Sequence, residues 1–134
     1  MDRFPMIFSM YSKYCAEGDY IEALKFLENE WNELPEPKNE QMESFHIVEF
    51  ITEIHLILKD FCNAKEWSMK IFECDRKRAD IGEREFLVGK VNYELGDFEQ
   101  AKKYFEVASQ KSNGRIFSER DGQYLKFFKK GIIE

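Results

Sequence analysis

One short pattern occurs three times in this chain of 134 residues, and it constrains the fold more than any other feature. Each copy has an aspartate followed by an aromatic residue, then an alanine, and then a second aromatic residue three positions after the alanine. The copies begin at Asp19, Asp60 and Asp97, which lie 41 and 37 residues apart. A period of this size is typical of proteins in which one supersecondary unit stacks on the next.

Apolar residues before and after each aspartate recur every three or four positions, which predicts a pair of helices in each copy. In the first copy we expect Gly18 to end one helix in a left-handed turn and Asp19 to cap the next. The second copy has Lys59 in place of the glycine, so the left-handed geometry of that turn stays open. The second helix of each copy has an alanine at the equivalent position, and such small residues allow close helix packing. These alanines are Ala23, Ala64 and Ala101.

These patterns predict one all-α domain, residues 1–134, built from three antiparallel helix pairs. The pairs are expected at about 4–37, 45–78 and 82–115. A stack of repeats needs an end cap over its last open face. We therefore predict a capping helix at about 118–131 that starts at Ser118 or Asp121. Its inward-facing residues are expected to be Tyr124, Leu125, Phe127 and Phe128.

The segments GDYIEALKFL, KDFCNAKEWS and GDFEQAKKYFEVA resemble the tetratricopeptide repeat (TPR). Gly89 stands at the position of the glycine in the first helix of a TPR. Pro35 stands at the position of the closing proline in the first copy, whereas Arg76 and Asn113 replace that proline later. The resemblance covers about 4–115. It implies a TPR-like α-α superhelix whose first helices line a concave face that holds a peptide or a protein.

The resemblance also implies which side chains point into that face. They are Phe8, Ser12 and Cys15 in the first copy, His46, Glu49, Glu53 and Leu56 in the second, and Glu83, Phe86, Lys90 and Tyr93 in the third. Only Lys90 is basic, so the clamp of Lys, Asn and Arg with which some TPR proteins hold a C-terminal carboxylate is missing. An acidic face flanked by aromatic rings suits a basic, partly apolar partner. Glu49 and Glu53, four residues apart, are equally consistent with a solvated helix face.

The net charge of −6 is unevenly distributed. Residues 1–60 contain thirteen acidic and five basic residues, and residues 61–134 contain thirteen acidic and fifteen basic residues. The first segment would repel phosphate, so nucleic acid is not expected as its ligand. The basic cluster DRKRAD at 75–80 stands alone, which indicates a helix end and a loop rather than a nucleic-acid patch.

The sequence contains no motif typical of catalysis. His46 and His55 are nine residues apart, and no cysteine or carboxylate spacing completes a metal site. There is no phosphate-binding glycine loop, and no pair of carboxylates stands out for acid–base chemistry. We therefore expect no enzyme activity, no metal and no cofactor. We also expect His55 to be packed and hydrogen-bonded, and His46 to be exposed.

The expected location is the cytoplasm. No stretch reaches the roughly 18 apolar residues that a membrane helix needs, and the first residues lack the pattern of a signal peptide. The odd number of cysteines, Cys15, Cys62 and Cys74, suits a reducing compartment. We expect all three to be small buried apolar residues. A monomer or a weak homodimer is expected, because short repeat arrays can associate through their ends.

Two functional classes remain open. The segment GRIFSERDGQYLKF resembles the C-terminal part of small bacterial TPR proteins, some encoded beside polymorphic toxins as immunity proteins. That resemblance implies a protein that binds and neutralises a cognate toxin, with a basic toxin domain as partner. The alternative is a general TPR adaptor or secretion chaperone that binds a peptide segment. One tight partner would favour the first class, and several weak partners that share a linear motif would favour the second.

Overall fold

Paired α-helices make up most of the chain. The computed structural model describes residues 2–133, and within this range there are helices and no β-strand. The α-helices are α1 (Phe4–Ala16), α2 (Tyr20–Glu33), α3 (Met42–Ile57), α4 (Phe61–Ser68), α5 (Glu83–Glu94), α6 (Phe98–Ser112) and α7 (Gly122–Lys130). Short 3₁₀ segments lie at Lys38–Glu40, Met69–Glu73 and Glu119–Asp121. The predicted all-α class is therefore confirmed.

The turn inside each helix pair is left-handed in all three copies. The φ angle is 74° at Gly18, 60° at Lys59 and 83° at Gly96. The turn at Lys59, whose geometry could not be predicted from the sequence, is thus left-handed like the other two. A residue with a side chain in this conformation costs roughly 1–2 kcal/mol of conformational free energy. Each turn is closed by the same backbone hydrogen bond, as in a Schellman motif. The N–H donors are those of Asp19, Asp60 and Asp97, and the acceptors are the carbonyls of Tyr14, His55 and Asn92, at 2.9, 2.8 and 2.9 Å.

The aspartates after these turns do not all cap the next helix. Oδ1 of Asp60 accepts a hydrogen bond from the N–H of Asn63 at 3.4 Å, and Oδ1 of Asp97 accepts one from Gln100 at 3.3 Å. The side chain of Asp19 makes no such capping bond, although the residue occupies the N-cap position. The side-chain cap predicted for α2 is therefore wrong.

The chain divides into two compact units, and the division falls after Arg78. Unit 1 contains α1 to α4, and unit 2 contains α5 to α7. The division lies between the second and third predicted repeats, whereas the sequence predicted a single domain.

The core of unit 1 lies between α1, α2 and α3. Its fully buried members are Ile7, Ala23, Leu27, Ile47, Ile51 and Ile54. The C-terminal end of α2 is capped by a side chain from beyond the helix. Nζ of Lys38 donates to the carbonyl oxygens of Trp31, Asn32 and Leu34 at 3.0, 3.0 and 3.2 Å. A lysine in this position satisfies carbonyls that have no partner within the helix.

The core of unit 2 is built from aromatic rings around Phe105, which is fully buried. Five rings lie with their centroids 5.7 to 6.4 Å from that of Phe105: those of Phe86, Phe117, Tyr124, Phe127 and Phe128. The predicted capping segment begins with a capping box, in which the N–H and the hydroxyl of Ser118 both donate to Oδ2 of Asp121. Phe127 of α7 is buried, and the other three predicted inward residues are half-buried.

Several predictions about single polar side chains are wrong. His55 is buried as expected, but its Nδ1 has no hydrogen-bond partner, and Oδ2 of Asp60 lies 3.8 Å away. His46 is not exposed, since its side chain retains only 17% of its accessible surface. Among the cysteines, Cys74 is buried, Cys15 is half-buried and Cys62 is exposed.

Across the described residues, the helices fall short of the length and apolar character that a membrane crossing requires.

Candidate functional site

Side chains of α1 and α3 form a continuous aromatic surface in unit 1. The rings of Tyr11 and Phe50 are stacked, with centroids 4.1 Å apart and planes at 6°. The Phe4 ring lies 4.3 Å from the ring of His46, and the Phe8 ring lies 6.2 Å from that of Phe50. Phe50 is buried, whereas Phe8 keeps 49% of its surface exposed. We define the α1/α3 surface as Phe4, Phe8, Tyr11, Ser12, Cys15, His46, Glu49, Phe50 and Glu53.

This surface includes six of the residues expected to point into the binding face: Phe8, Ser12, Cys15, His46, Glu49 and Glu53. Phe4, Tyr11 and Phe50 also belong to this surface, although the repeat pattern predicts no binding role for them. The spacing of Phe4, Phe8 and Tyr11, four and three residues apart, indicates one face of a helix. This spacing indicates that the three rings lie on the same face of α1. It does not indicate whether that face is buried in the core or open to a partner.

Two carboxylates border the aromatic rings. Glu49 and Glu53 lie one turn apart on α3, and both are half-buried. Oε1 of Glu49 lies 3.3 Å from Nδ1 of His46. Burial raises the pKa of the Tyr11 phenol well above its usual range, and the neighbouring Cys15 and Glu53 raise it further. Tyr11 therefore stays neutral, and the charge of this surface comes from its carboxylates.

His46 connects an acidic and a basic side chain. Its Nδ1 faces Glu49, and its Nε2 lies 3.4 Å from Nη1 of Arg78. The guanidinium of Arg78 lies over the Phe45 ring, 4.3 Å from the ring centroid. In a neutral imidazole, these contacts suit the tautomer that donates from Nδ1 to Glu49 and accepts at Nε2 from Arg78. His46 thus orients the Glu49 carboxylate beside the rings.

The predicted site residues of α5 are in a different environment. Phe86 and Tyr93 retain only 8% and 4% of their surface. The Phe86 ring packs against Phe117 at 5.2 Å, and the Tyr93 ring packs against Phe127, also at 5.2 Å. The prediction that Phe86 and Tyr93 present their rings to a partner is therefore wrong, because the C-terminal segment of the same chain covers them.

The charged residues of α5 are more accessible. Glu83 and Lys90 are half-buried, and Nζ of Lys90 lies 5.0 Å from the centroid of the Phe86 ring. Oε1 of Glu94, to which the sequence analysis assigned no role, accepts hydrogen bonds from Nε2 of Gln123 and the hydroxyl of Tyr124 at 3.1 and 2.9 Å. Glu94 therefore holds α7 against α5. Nothing in its local sequence distinguishes it from a solvated glutamate.

Two hollows of unit 1 are lined in part by charged groups that already bind other groups of the protein. One of about 340 Å³ includes Lys38, whose ammonium already binds three carbonyls, and Glu73, which pairs with Arg76. Another of about 280 Å³ lies beside Glu30, whose carboxylate accepts hydrogen bonds from both Nε and Nη2 of Arg3. The α1/α3 surface is the better candidate, because it combines an exposed ring with carboxylates.

In residues 2–133, no group of three or more His, Cys, Asp or Glu side chains is arranged to hold a metal ion. Comparison of the chain with models of protein families, with curated proteins and with solved structures gives no match.

Proposed function

We propose that this chain is a non-catalytic protein-binding module with a TPR-like α-α superhelix fold. Three helix pairs closed by the same left-handed turn support the TPR-like fold. The complete burial of the equivalent alanines Ala23, Ala64 and Ala101 supports it as well. Small residues at these positions allow the close helix packing that such repeats require.

The α1/α3 surface binds a basic, partly apolar partner protein. The observation that carries this proposal is the exposed ring of Phe8 next to the stacked rings of Tyr11 and Phe50. Glu49 and Glu53 lie close enough to Tyr11 to raise the pKa of its phenol. Aromatic anchors are enriched at the centres of protein interfaces. The rings beneath Phe8 are already packed, so binding orders few additional side chains and costs less entropy.

The charge distribution favours a basic partner. The segment that ends at Arg78 contains sixteen acidic and ten basic residues, and the segment from Ala79 onward contains ten of each. The excess of carboxylates in unit 1, two of which belong to the α1/α3 surface, attracts a positively charged domain and raises its association rate at low ionic strength.

In this proposal the protein is an immunity protein that acts in the bacterial cytoplasm and neutralises a basic toxin domain. The acidic character of unit 1 and the C-terminal segment that resembles small bacterial immunity proteins support it. A general adaptor or secretion chaperone would need a longer open groove for a peptide. The burial of Phe86 and Tyr93 weighs against such a groove, because two of its expected aromatic contacts are occupied.

The first experiment is affinity capture of the tagged protein from a lysate of its source, with bound chains identified by mass spectrometry. A Glu49→Lys, Glu53→Lys variant is compared with a Glu99→Lys, Glu106→Lys control, which makes the same change in charge at two exposed positions of α6. We expect one stoichiometric basic partner that binds the wild type and the control but not the α3 variant.

A second pair of variants tests the aromatic anchor. Phe8→Ala should weaken binding of that partner by about tenfold or more, whereas Ile21→Ala, at another exposed apolar position, should leave the Kd unchanged. Equal capture by both charge variants would reject the α1/α3 surface as the binding site. Several weak partners that share a linear motif would favour the adaptor class instead.

A further inference from the structure

The C-terminal segment of this chain carries the chemistry that the α1/α3 surface is suited to bind. Helix α7 contains three lysines and no acidic residue, and Lys129 and Lys130 are exposed in its last turn. Gly131, with φ of 70°, ends the helix, and its N–H donates to the carbonyl of Phe127 at 2.8 Å. Beyond this turn Ile132 and Ile133 are 43% and 55% exposed.

We propose that the segment 129–133 of one copy binds the α1/α3 surface of a second copy, so that the protein self-associates head to tail. This inference rests on the same surface as the proposed function, but it requires no other protein. The ammonium groups of Lys129 and Lys130 are complementary in charge to Glu49 and Glu53. The isoleucine side chains remove apolar surface from water where they cover the ring of Phe8.

The exposure of Ile132 and Ile133 makes a second copy the appropriate occupant. About half of the surface of each of these side chains is exposed, as is about half of that of Phe8. The lysines lie at the C-terminal end of a helix, where the helix dipole favours their positive charge and α7 needs no rearrangement to present them. The lysines are exposed and the two glutamates are half-buried, so the association is weak and depends on salt.

The two surfaces are different, so the contact is heterologous. Each copy that binds through its C-terminal segment still presents an unoccupied α1/α3 surface to the next copy, and the assembly grows with concentration rather than stopping at a dimer. A basic partner protein on the α1/α3 surface would end this growth. Self-association and partner binding therefore compete.

The test is sedimentation velocity over a wide range of protein concentrations. The wild type should form species larger than a dimer at low salt and return to monomers at high salt. Raising the salt from 0.01 M to 1 M shortens the Debye length from about 30 Å to about 3 Å. A wild type that remains monomeric at every concentration would overturn the proposal.

Two variants identify the surfaces. A surface variant carries Phe8→Ala, Glu49→Gln and Glu53→Gln, and a segment variant carries Lys129→Gln, Lys130→Gln, Ile132→Ser and Ile133→Ser. Each variant alone should remain monomeric at concentrations where the wild type associates. An equimolar mixture should form dimers and nothing larger. The intact C-terminal segment of the surface variant can bind the intact α1/α3 surface of the segment variant, and no second contact is then available to either copy.

Association of either variant alone, or a mixture that contains only monomers, would overturn the head-to-tail arrangement. A Glu99→Gln, Glu106→Gln control on α6 should associate like the wild type. Different results would contradict self-association and the proposed function. A monomeric wild type that captures a basic partner contradicts only self-association, and a self-associating chain without a foreign partner contradicts only the immunity role.

Discussion

Gly89 of α5 lies directly against the ring of Phe105 of α6. A methyl group added at position 89 would lie 2.7 Å from Cε1 and 2.8 Å from Cδ1 of that ring. Phe105 is fully buried among other aromatic rings, so it has little room to move away. The close packing of α5 and α6 therefore depends on the missing side chain at this position.

Gly89→Ala should lower the free energy of unfolding by about 1–3 kcal/mol, because overpacking outweighs the gain in helix propensity. The measurement is urea unfolding followed by circular dichroism. Gly122→Ala is the matched control, since a Cβ at this first residue of α7 meets no atom within 4 Å. The control should be neutral or more stable by up to about 1 kcal/mol. Equal effects of the two substitutions would contradict the packing argument.

His55 should make the stability depend on pH in a defined direction. Burial lowers the pKa of His55, and the nearby Asp60 and Glu28 offset this only in part. The unfolded chain, with a histidine pKa of about 6.5, therefore takes up the proton at a higher pH than the folded chain. The stability that neutral His55 contributes is fully present above about pH 6.5 and is lost as the pH falls through the lower pKa of the folded state.

The check is the free energy of unfolding measured at several values from about pH 7 to about pH 5, a range that includes the unfolded pKa. The slope should be smaller in His55→Gln than in the wild type, whatever the absolute stability of the variant. Parallel profiles for the two proteins would show that His55 is not the group responsible.

Lys111 should contribute more to the stability of unit 2 than a partly exposed lysine usually does. Its Nζ donates to Oδ2 of Asp80 at 2.7 Å and to Oε2 of Glu85 at 3.0 Å. Glu85 is buried, and its Oε1 already lacks a hydrogen-bond partner. Lys111→Met should therefore destabilise the protein by about 1–3 kcal/mol, because it leaves a buried carboxylate unpaired.

Lys103→Met is the control for Lys111→Met. Lys103 is on the same helix and pairs with the exposed Glu99 at 3.5 Å, so its loss should change the stability by no more than about 0.5 kcal/mol. Adding Glu85→Gln to Lys111→Met should restore part of the lost stability. A double variant that is no more stable than Lys111→Met would indicate that the unpaired charge is not the cause. Chemical denaturation at neutral pH measures all of these variants.

The three cysteines should react with a thiol reagent in a fixed order. Cys62 is exposed and should react first, whereas Cys74 is fully buried and should react only on unfolding. Cys15 should react slowly, because burial raises the pKa of its thiol more than the hydrogen bond with Tyr11 lowers it. Absorbance kinetics at neutral pH should lose the fast phase in Cys62→Ser and keep it in Cys15→Ser. A fast phase that persists in Cys62→Ser would contradict the order.

Local chemistry explains why the helix pairs could be predicted from the sequence. Helical periodicity and the left-handed turn are specified by residues within a few positions of one another, as Gly18 and Gly96 illustrate. Gly89 of α5 was predicted by the resemblance to the TPR and not by local periodicity. The turn at Lys59 could not be predicted, because a lysine is tolerated at positive φ only where the surrounding helices stabilise the turn.

The candidate surface shows the limit of the same reasoning. Phe8 and Phe86 occupy equivalent positions eleven residues before Asp19 and Asp97, yet one ring is half exposed and the other is buried. The difference arises from Phe117, whose ring covers Phe86 and which lies 31 residues further along the chain. The repeat pattern does not encode which of its equivalent positions a distant segment will cover.

The sequence by itself determined the elements of this protein: three helix pairs, the turns at Gly18 and Gly96, a C-terminal helix and an acidic N-terminal half. Only the tertiary structure decided which aromatic and charged side chains stay accessible. His46 illustrates the reason, since its partners Phe4 and Arg78 lie 42 residues before and 32 residues after it. Secondary structure follows from neighbours in sequence, whereas the composition of a surface follows from contacts between segments that are far apart in the chain.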